Sequence, residues 1–178
     1  MTIAKEAPAV MPDFGDNEAS DRKICFVASK GTLDMVYPSL IMANAALGEG
    51  VETHIFFTFW GMDIITKDHQ DDLQFTWMGN TAMHPPGKKM HMPQGMAGLP
   101  GMTKVATKMM KKQIADLDVP EVPEMVQMIA DAGGQLWACK MSADMMGLTI
   151  DDFVDGVQDI ISATDFIELS EGAQVIFT

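Results

Sequence analysis

Residues 136–142, LWACKMS, join an apolar run to the start of a helix, and the fold is predicted from this junction outward. Residues 135–138 indicate a buried strand that ends at Cys139, and Ser142 is placed to cap a short helix. Further runs rich in apolar, β-branched or aromatic residues predict strands at 23–28, 51–59, 157–161 and 175–177. Because helical segments separate these strands, the sequence predicts parallel βαβ units in an open, doubly wound α/β sheet.

Caps and apolar spacing mark the helices between the strands. They are predicted at 32–47, 103–117, 122–132, 142–147 and 164–171, with a short helix after the turn at Trp60 and Gly61. Two of these helices carry specific expectations about their inward faces. In 103–117 the residues expected to face inward are Val105, Met109, Ile114 and Leu117, opposite a face of lysines, and in 122–132 they are Met125, Met128 and Ile129.

The chain of 178 residues fits one domain. Residues 1–20 are polar, contain proline and lack the pattern of a signal peptide, so we expect a flexible N-terminal tail. Residues 21–178 are expected to form a single domain, with the Gly-, Pro- and Met-rich stretch at about 67–117 as an inserted loop and helix segment. No membrane span is predicted, since no apolar stretch reaches about 18 residues. The cytoplasm, where thiols stay reduced, is the expected location.

The charge is strongly negative overall but uneven along the chain. A formal net charge of −13 argues against nucleic acid as a partner, since no global positive field would attract phosphates. Between Asp72 and Asp116, however, there is no carboxylate, and six lysines lie there. This basic segment predicts a lid, or a docking surface for an acidic partner or for peripheral contact with an anionic membrane face.

Cys139 is the candidate nucleophile. The ligand-binding edge of a doubly wound sheet lies at the carboxyl ends of its strands, where Cys139 is predicted. The dipole of the following helix, the adjacent Lys140 and the helix start at Ser142 would all favour its thiolate. The alternative is a buried structural thiol, because free cysteine packs as a small hydrophobe. No histidine near Cys139 in the sequence supports protease-like chemistry.

The other cysteine, Cys25, lies in the middle of an apolar strand between Ile24 and Phe26. It is therefore interpreted as a core residue. A disulfide with Cys139 would require that the two strands be neighbours in the sheet.

Two further loops are predicted at the same edge of the sheet as Cys139. The loop after the first strand contains Thr32 and Asp34, either of which can cap the next helix, and it lacks the glycine patterns of nucleotide-binding loops. The turn at Trp60 and Gly61 follows the second strand. These four residues, with Lys140 and Ser142, are the candidates for supporting or lining a pocket around the thiol.

A methionine- and histidine-rich stretch offers a different chemistry. Thioether and imidazole groups are suitable ligands for Cu(I), and this stretch contains Met83, His84, Met90, His91 and Met92. The flanking Lys88 and Lys89 would repel a cation, and methionine is common at adaptable binding surfaces. The prediction is therefore no bound metal, with a soft-metal site as the alternative.

Four stretches resemble the DsrE/DsrF-like family of sulfur-relay proteins, and the resemblance extends over residues 23–178. The stretches are 31–38, 56–61, 99–102 and 138–147, of which FFTFWG and the cysteine-containing ACKMSADMMG are the specific ones. The chain is most similar to a branch with an enlarged loop between the second and third strands. The resemblance implies a three-layer α/β/α sandwich of the Rossmann or flavodoxin type, with a mainly parallel five-stranded sheet, assembled as a homo-oligomer.

The same resemblance implies that Cys139 carries sulfane sulfur as a persulfide. The implied partners are small TusA-type sulfur carriers and rhodanese-like donors, and no cofactor is needed. The alternative function is a non-enzymatic binding or adaptor protein that uses the Met/His/Lys-rich loop. A redox sensor is a third hypothesis, which the lack of a nearby resolving cysteine weakens.

Overall fold

The computed structural model describes residues 21–75 and 94–178, which are built around a five-stranded sheet. The order of the strands is β4-β3-β2-β1-β5, and every pairing is parallel. This confirms the predicted α/β class and the five predicted strands. Their bounds are β1 (Lys23–Ala28), β2 (Glu52–Phe57), β3 (Gln135–Cys139), β4 (Val157–Ile161) and β5 (Gln174–Phe177).

Helices connect the strands, as parallel pairing requires. The two longest are α1 (Leu33–Gly48) and α3 (Met102–Ala115). The others are α2 (Gln94–Ala97), α4 (Val122–Asp131), α5 (Lys140–Met146) and α6 (Ala163–Leu169), with 3₁₀ helices at Phe59–Ile64, Gln70–Asp72 and Ile150–Asp152.

The two faces of the sheet are covered unequally. Side chains alternate between the faces along each strand, and Leu136 and Ala138 of β3 join the large core under α1 and α4. The opposite face packs against α6, where the Phe166 ring stacks on Phe56 with 4.5 Å between the ring centroids. Cys139 lies on this second face, in the smaller of the two clusters. Helices on both faces confirm the predicted α/β/α sandwich.

The inward face of α3 differs from the prediction. Ala106 is buried, and Met102, Met110 and Ile114 pack against the core beside it. Three of the four residues expected to face inward, Val105, Met109 and Leu117, are instead exposed. Both sets are apolar with spacings of three to five residues, so the sequence pattern cannot choose between two adjacent faces of one helix. The four lysines of α3 are exposed, as predicted.

One residue of α4 also departs from the prediction. Met125 and Ile129 are buried as expected, but Met128 is exposed, and Val122 and Val126 complete the buried face. The buried face therefore consists of residues 122, 125, 126 and 129, which are three or four positions apart or adjacent. Met128 lies outside this face and points to the surface.

The 3₁₀ helix Phe59–Ile64 crosses closely over the end of β1, and two glycines allow this approach. A Cβ atom on Gly61 would overlap the carbonyl oxygen of Ala28, and one on Gly31 would overlap the carbonyl oxygen of Trp60. Backbone atoms cannot move aside as a flexible side chain could. The turn that follows β2 is therefore fixed against the loop that follows β1.

We predict that Gly61→Ala lowers the free energy of unfolding by about 2 kcal/mol or more, because the added methyl group overpacks a backbone contact. Gly48→Ala is the matched control, since a Cβ there meets nothing within 4 Å. It should be neutral or slightly stabilising, because alanine restricts the unfolded chain. Urea denaturation of both variants measures the difference, and equal stabilities would contradict the proposed close packing.

Candidate thiol site

Cys139 lies where β3 ends and α5 begins, as the sequence predicts. It is the last residue of the strand and the N-cap residue of the helix, with an extended backbone. Phe57 of β2 pairs with Ala138, so the next residue of that chain segment, Thr58, lies beside Cys139. The cysteine is 5% exposed. The thiol is thus recessed at the carboxyl edge of the sheet.

Hydrogen bonds to the sulfur favour the thiolate. Burial raises the pKa of Cys139, but hydrogen bonds from the side chain of Thr58, from the backbone and hydroxyl of Ser142 and from the backbone of Met141 lower it by more. The net result is a pKa below the ordinary value of a thiol. A lowered pKa increases the fraction of the thiolate, which is the nucleophilic form of cysteine.

Lys140 has a different role from the one expected. Its Nζ atom lies 3.1 Å from both carboxylate oxygens of Asp144, one helical turn further along α5. The ammonium group is therefore neutralised by its own helix at an exposed position. The stabilisation of the Cys139 thiolate comes from hydrogen bonds and not from the neighbouring lysine.

Ser142 hydrogen-bonds to the thiol of Cys139, but it is not the helix cap that the sequence suggests. The helix already begins at Lys140, so Ser142 is the third helical residue, and it is fully buried. Its Oγ atom accepts the Phe59 N–H at 2.8 Å and lies 3.2 Å from Oγ1 of Thr58. Because the N–H of Phe59 occupies an acceptor position of this hydroxyl, the hydroxyl proton is available to Thr58 or to the thiol.

Phe59 adopts a backbone conformation that is rare for its type. Its φ of +47° is in the left-handed region, which costs a bulky residue about 1–2 kcal/mol. The hydrogen bond to Ser142 holds this conformation, and the side chains of Phe59 and Trp60 project outward as a result. The turn after β2 is thus tied to α5 as well as to the loop after β1.

Thr58 is not among the residues that the sequence predicts to lie at the thiol. Its position in the sequence could have indicated a role at the site, because this hydroxyl residue directly follows a buried strand at the predicted ligand-binding edge. What the sequence lacked was the order of the strands. Only the pairing of β2 with β3 places this particular hydroxyl beside Cys139.

The remaining candidates divide between two places. Thr32 and Trp60 line a cleft of about 580 Å³ at the carboxyl edge of the sheet, and Gly61 packs under it against Ala28. Thr32 is the N-cap residue of α1 by position, although its side chain makes no capping hydrogen bond. Asp34 lies apart from this cleft, in the groove between α1 and α3. Cys139 does not line the cleft.

Cys25 has the opposite character from Cys139. It is fully buried, and burial raises its pKa to about 11, with a smaller lowering by Lys23 and a smaller rise from Glu52. β2 lies between β1 and β3, so the two cysteines are on strands that are not neighbours, and both are free thiols. The geometry excludes a disulfide between them and fits the interpretation of Cys25 as a core residue.

The proposed soft-metal ligands, Met83 to Met92, lie outside the described residues. Within residues 21–75 and 94–178, no group of three histidine, cysteine or carboxylate residues is placed to hold a metal ion. In the same ranges, no helix combines the length and the apolar character needed to cross a membrane.

Comparison with solved structures shows the fold. The chain resembles a protein of unknown function, MTH1491, from Methanobacterium thermoautotrophicum, with a TM-score of 0.54 and 14% identity over 89% of this chain and 100% of that one. It also resembles the ychN protein of E. coli, with a TM-score of 0.51 and 14% identity over 88% of this chain and 99% of that one.

Sequence comparison shows the family. The chain is 33% identical to the sulfur carrier protein DsrE2 of Allochromatium vinosum over 138 residues, which cover 77% of this chain and 86% of that protein. It is 25% identical to the uncharacterized protein YrkE of Bacillus subtilis over 158 residues, 88% of this chain and 96% of that protein. The sequence model of one family matches residues 20–177, nearly the whole chain. The chain therefore belongs to the DsrE/DsrF/DrsH-like family.

Proposed function

We propose that this protein is a sulfur-relay protein that accepts sulfane sulfur on Cys139 as a persulfide and passes it to a partner thiol. The observation that carries the proposal is the contrast between its two cysteines. Hydrogen bonds lower the pKa of Cys139, whereas burial raises that of Cys25. The similarity to a protein named as a sulfur carrier gives independent support.

The proposed chemistry needs one thiol and no external oxidant. In loading, the Cys139 thiolate attacks the outer sulfur of a donor persulfide, which forms a new S–S bond and releases the donor as a thiolate. In delivery, the acceptor thiolate attacks the outer sulfur carried by Cys139, and the Cys139 thiolate leaves. Both steps exchange one S–S bond for another, so the electrons balance.

The hydrogen-bond donors around Cys139 suit both steps. A lowered thiol pKa raises the thiolate fraction available for loading, and it makes Cys139 a better leaving group in delivery. The donors are Thr58, Ser142 and the N–H of Met141, which are in place before any partner arrives. Such preorganised donors stabilise developing negative charge without a cost of rearrangement.

The setting of this reaction is part of the proposal. We place it in the cytoplasm, with a rhodanese-like donor and a TusA-type carrier as partners, because these follow from membership of the family and from a thiol that must stay reduced.

Assembly as a homo-oligomer is also proposed. The exposed Val175 and Phe177 of the edge strand β5 support it, since an uncovered apolar sheet edge favours association.

A binding or adaptor function through the basic segment is the second candidate. Lys104 and Lys108 are exposed on α3, and none of the ion pairs among the described residues includes them. Lys111 and Lys112 differ, because they bond to the backbone of Asp71 and to the carboxylate of Asp116. The exposed Val105 and Met109 beside the first two lysines would add apolar contact to such a surface.

We predict that only Cys139 takes up sulfane sulfur. Incubation of the reduced protein with glutathione persulfide, followed by intact mass measurement, should show one added sulfur atom. The adduct should persist in Cys25→Ser and be absent in Cys139→Ser, because the raised pKa of Cys25 leaves it as a buried thiol. An adduct that survives in Cys139→Ser, or none in the unmodified protein, would overturn the proposed carrier role.

We also predict that Thr58→Val raises the pKa of Cys139 and slows its alkylation. Loss of a hydrogen bond to a charged group removes about 1.5 kcal/mol or more of thiolate stabilisation, so the alkylation rate at pH 7 should fall about tenfold. Because the thiolate is the reactive form, the midpoint of the rate against pH should move to higher pH. Iodoacetamide alkylation in a Cys25→Ser background measures both.

Two comparison variants show whether hydrogen bonding is the cause. Ser142→Ala should also move the alkylation midpoint to higher pH, and circular dichroism checks that this buried site still folds. Lys140→Met should leave the midpoint nearly unchanged, because Asp144 already pairs with that lysine. A large shift in Lys140→Met with none in Thr58→Val would show that charge, and not hydrogen bonding, sets the pKa of Cys139.

A further inference from the structure

Exposed apolar side chains lie on the two elements that hold the recessed Cys139. We refer to Phe59, Trp60, Met141 and Met145 as the collar; they are 45%, 64%, 61% and 58% exposed. They come from the turn after β2 and from α5, the two elements that supply the hydrogen bonds to the thiol. Aromatic residues and methionine are enriched in the centres of protein interfaces, so a group of four such exposed side chains on two adjoining elements indicates a binding surface.

An acidic cleft continues from the collar at Trp60. The charged groups that line it are Lys30 and the carboxylates of Asp63, Asp68 and Asp72. Asp63 is bonded to the ring of His69, with 2.8 Å between Oδ1 and Nδ1. The carboxylates thus outnumber the single lysine in a cleft of about 580 Å³.

Two lysines outside the cleft already have carboxylate partners. Lys140 pairs with Asp144, and Lys67 lies 3.6 Å from Asp155. Neither of these lysines lines the cleft, so the excess of three carboxylates over one lysine beside Trp60 is kept. The chain as a whole carries a net charge of −13, which adds long-range attraction for a cationic partner.

Trp60 is the one residue that belongs to both the collar and the cleft. An exposed indole face next to carboxylates is a favourable site for a lysine or arginine side chain, which gains cation–π and ion-pair attraction together. Apolar contact on the collar would then supply the remaining affinity, while the charges guide the orientation of the partner.

Building on the proposed function, we propose that the protein that exchanges sulfur with Cys139 has a basic surface around its own thiol. Its lysine or arginine side chains enter the acidic cleft beside Trp60, and its apolar residues contact the collar, so that its sulfur is directed to Cys139. The partner proposed here is basic, whereas a partner that binds the basic segment at Lys104 and Lys108 would be acidic.

Thiol–disulfide exchange tests this surface without requiring persulfide chemistry. The probes are the disulfide-linked dimers of two short peptides, one with lysines on both sides of its cysteine and the other with glutamates. The Cys139 thiolate attacks one sulfur of the peptide disulfide, forms a mixed disulfide and releases one peptide thiolate. Intact mass against time, in full-length Cys25→Ser protein at low ionic strength, gives the rate for each peptide.

The measured quantity is the ratio of the lysine-peptide rate to the glutamate-peptide rate. Asp68→Lys/Asp72→Lys reverses two charges of the cleft and touches none of the donors to Cys139. Glu49→Lys/Glu171→Lys is the matched control, because it makes the same change of net charge just before β2 and β5 begin, at the opposite edge of the sheet. Differences in intrinsic reactivity between the two peptides cancel when the rate ratios of the variants are compared, since every variant is tested with the same pair of peptides.

We expect the rate ratio to fall about tenfold in the cleft variant and by much less in the control, and the preference of the unchanged protein to weaken with salt. A ratio that is unchanged in the cleft variant, or that falls equally in the control, would overturn the proposal. Failure of Cys139 to take up sulfane sulfur would instead count against the carrier function, and the exchange ratio would remain readable.

Discussion

The hydrogen bond from the N–H of Phe59 to Oγ of Ser142 joins the end of β2 to the first turn of α5, and the site depends on it. It holds Phe59 in a left-handed conformation and orients the buried Ser142 hydroxyl, which lies next to Thr58, the residue that the pairing of β2 with β3 places beside Cys139. Gly31 and Gly61 fix the same turn from the other side, where no Cβ atom could fit. One short turn is thus held by two strands and a helix.

This arrangement explains how two buried cysteines in one small cluster can differ so much. Cys25 and Cys139 face the same side of the sheet, and both are shielded from water. Burial alone raises the pKa of a thiol, as it does for Cys25. At Cys139 the strand has ended, so backbone N–H groups at the helix start and two hydroxyl groups point at the sulfur. Position along the strand, more than burial, separates the thiol whose pKa is raised from the one whose pKa is lowered.

The surface around the site follows from the same constraint. Because the backbone of Phe59 is held inward by Ser142, its side chain and that of Trp60 project outward, and the exposed Met141 and Met145 lie on the helix to which this turn is bonded. The acidic cleft is lined by Trp60 and by the loop that follows β1. The strand order β3-β2-β1 therefore sets the sequence of features along this edge, which runs from thiol to collar to cleft.

Much of the molecule was determined by the sequence itself. The apolar runs and caps predicted five strands, the α/β class and a thiol at the end of β3, because these depend on local periodicity and turn chemistry. The inward face of α3 was not determined, since two adjacent stripes of apolar residues satisfied the same spacing. The roles of Thr58, Ser142 and Lys140 were decided only by the tertiary structure. Those roles depend on which strands are neighbours and which groups are already paired, and no local pattern in the sequence encodes either.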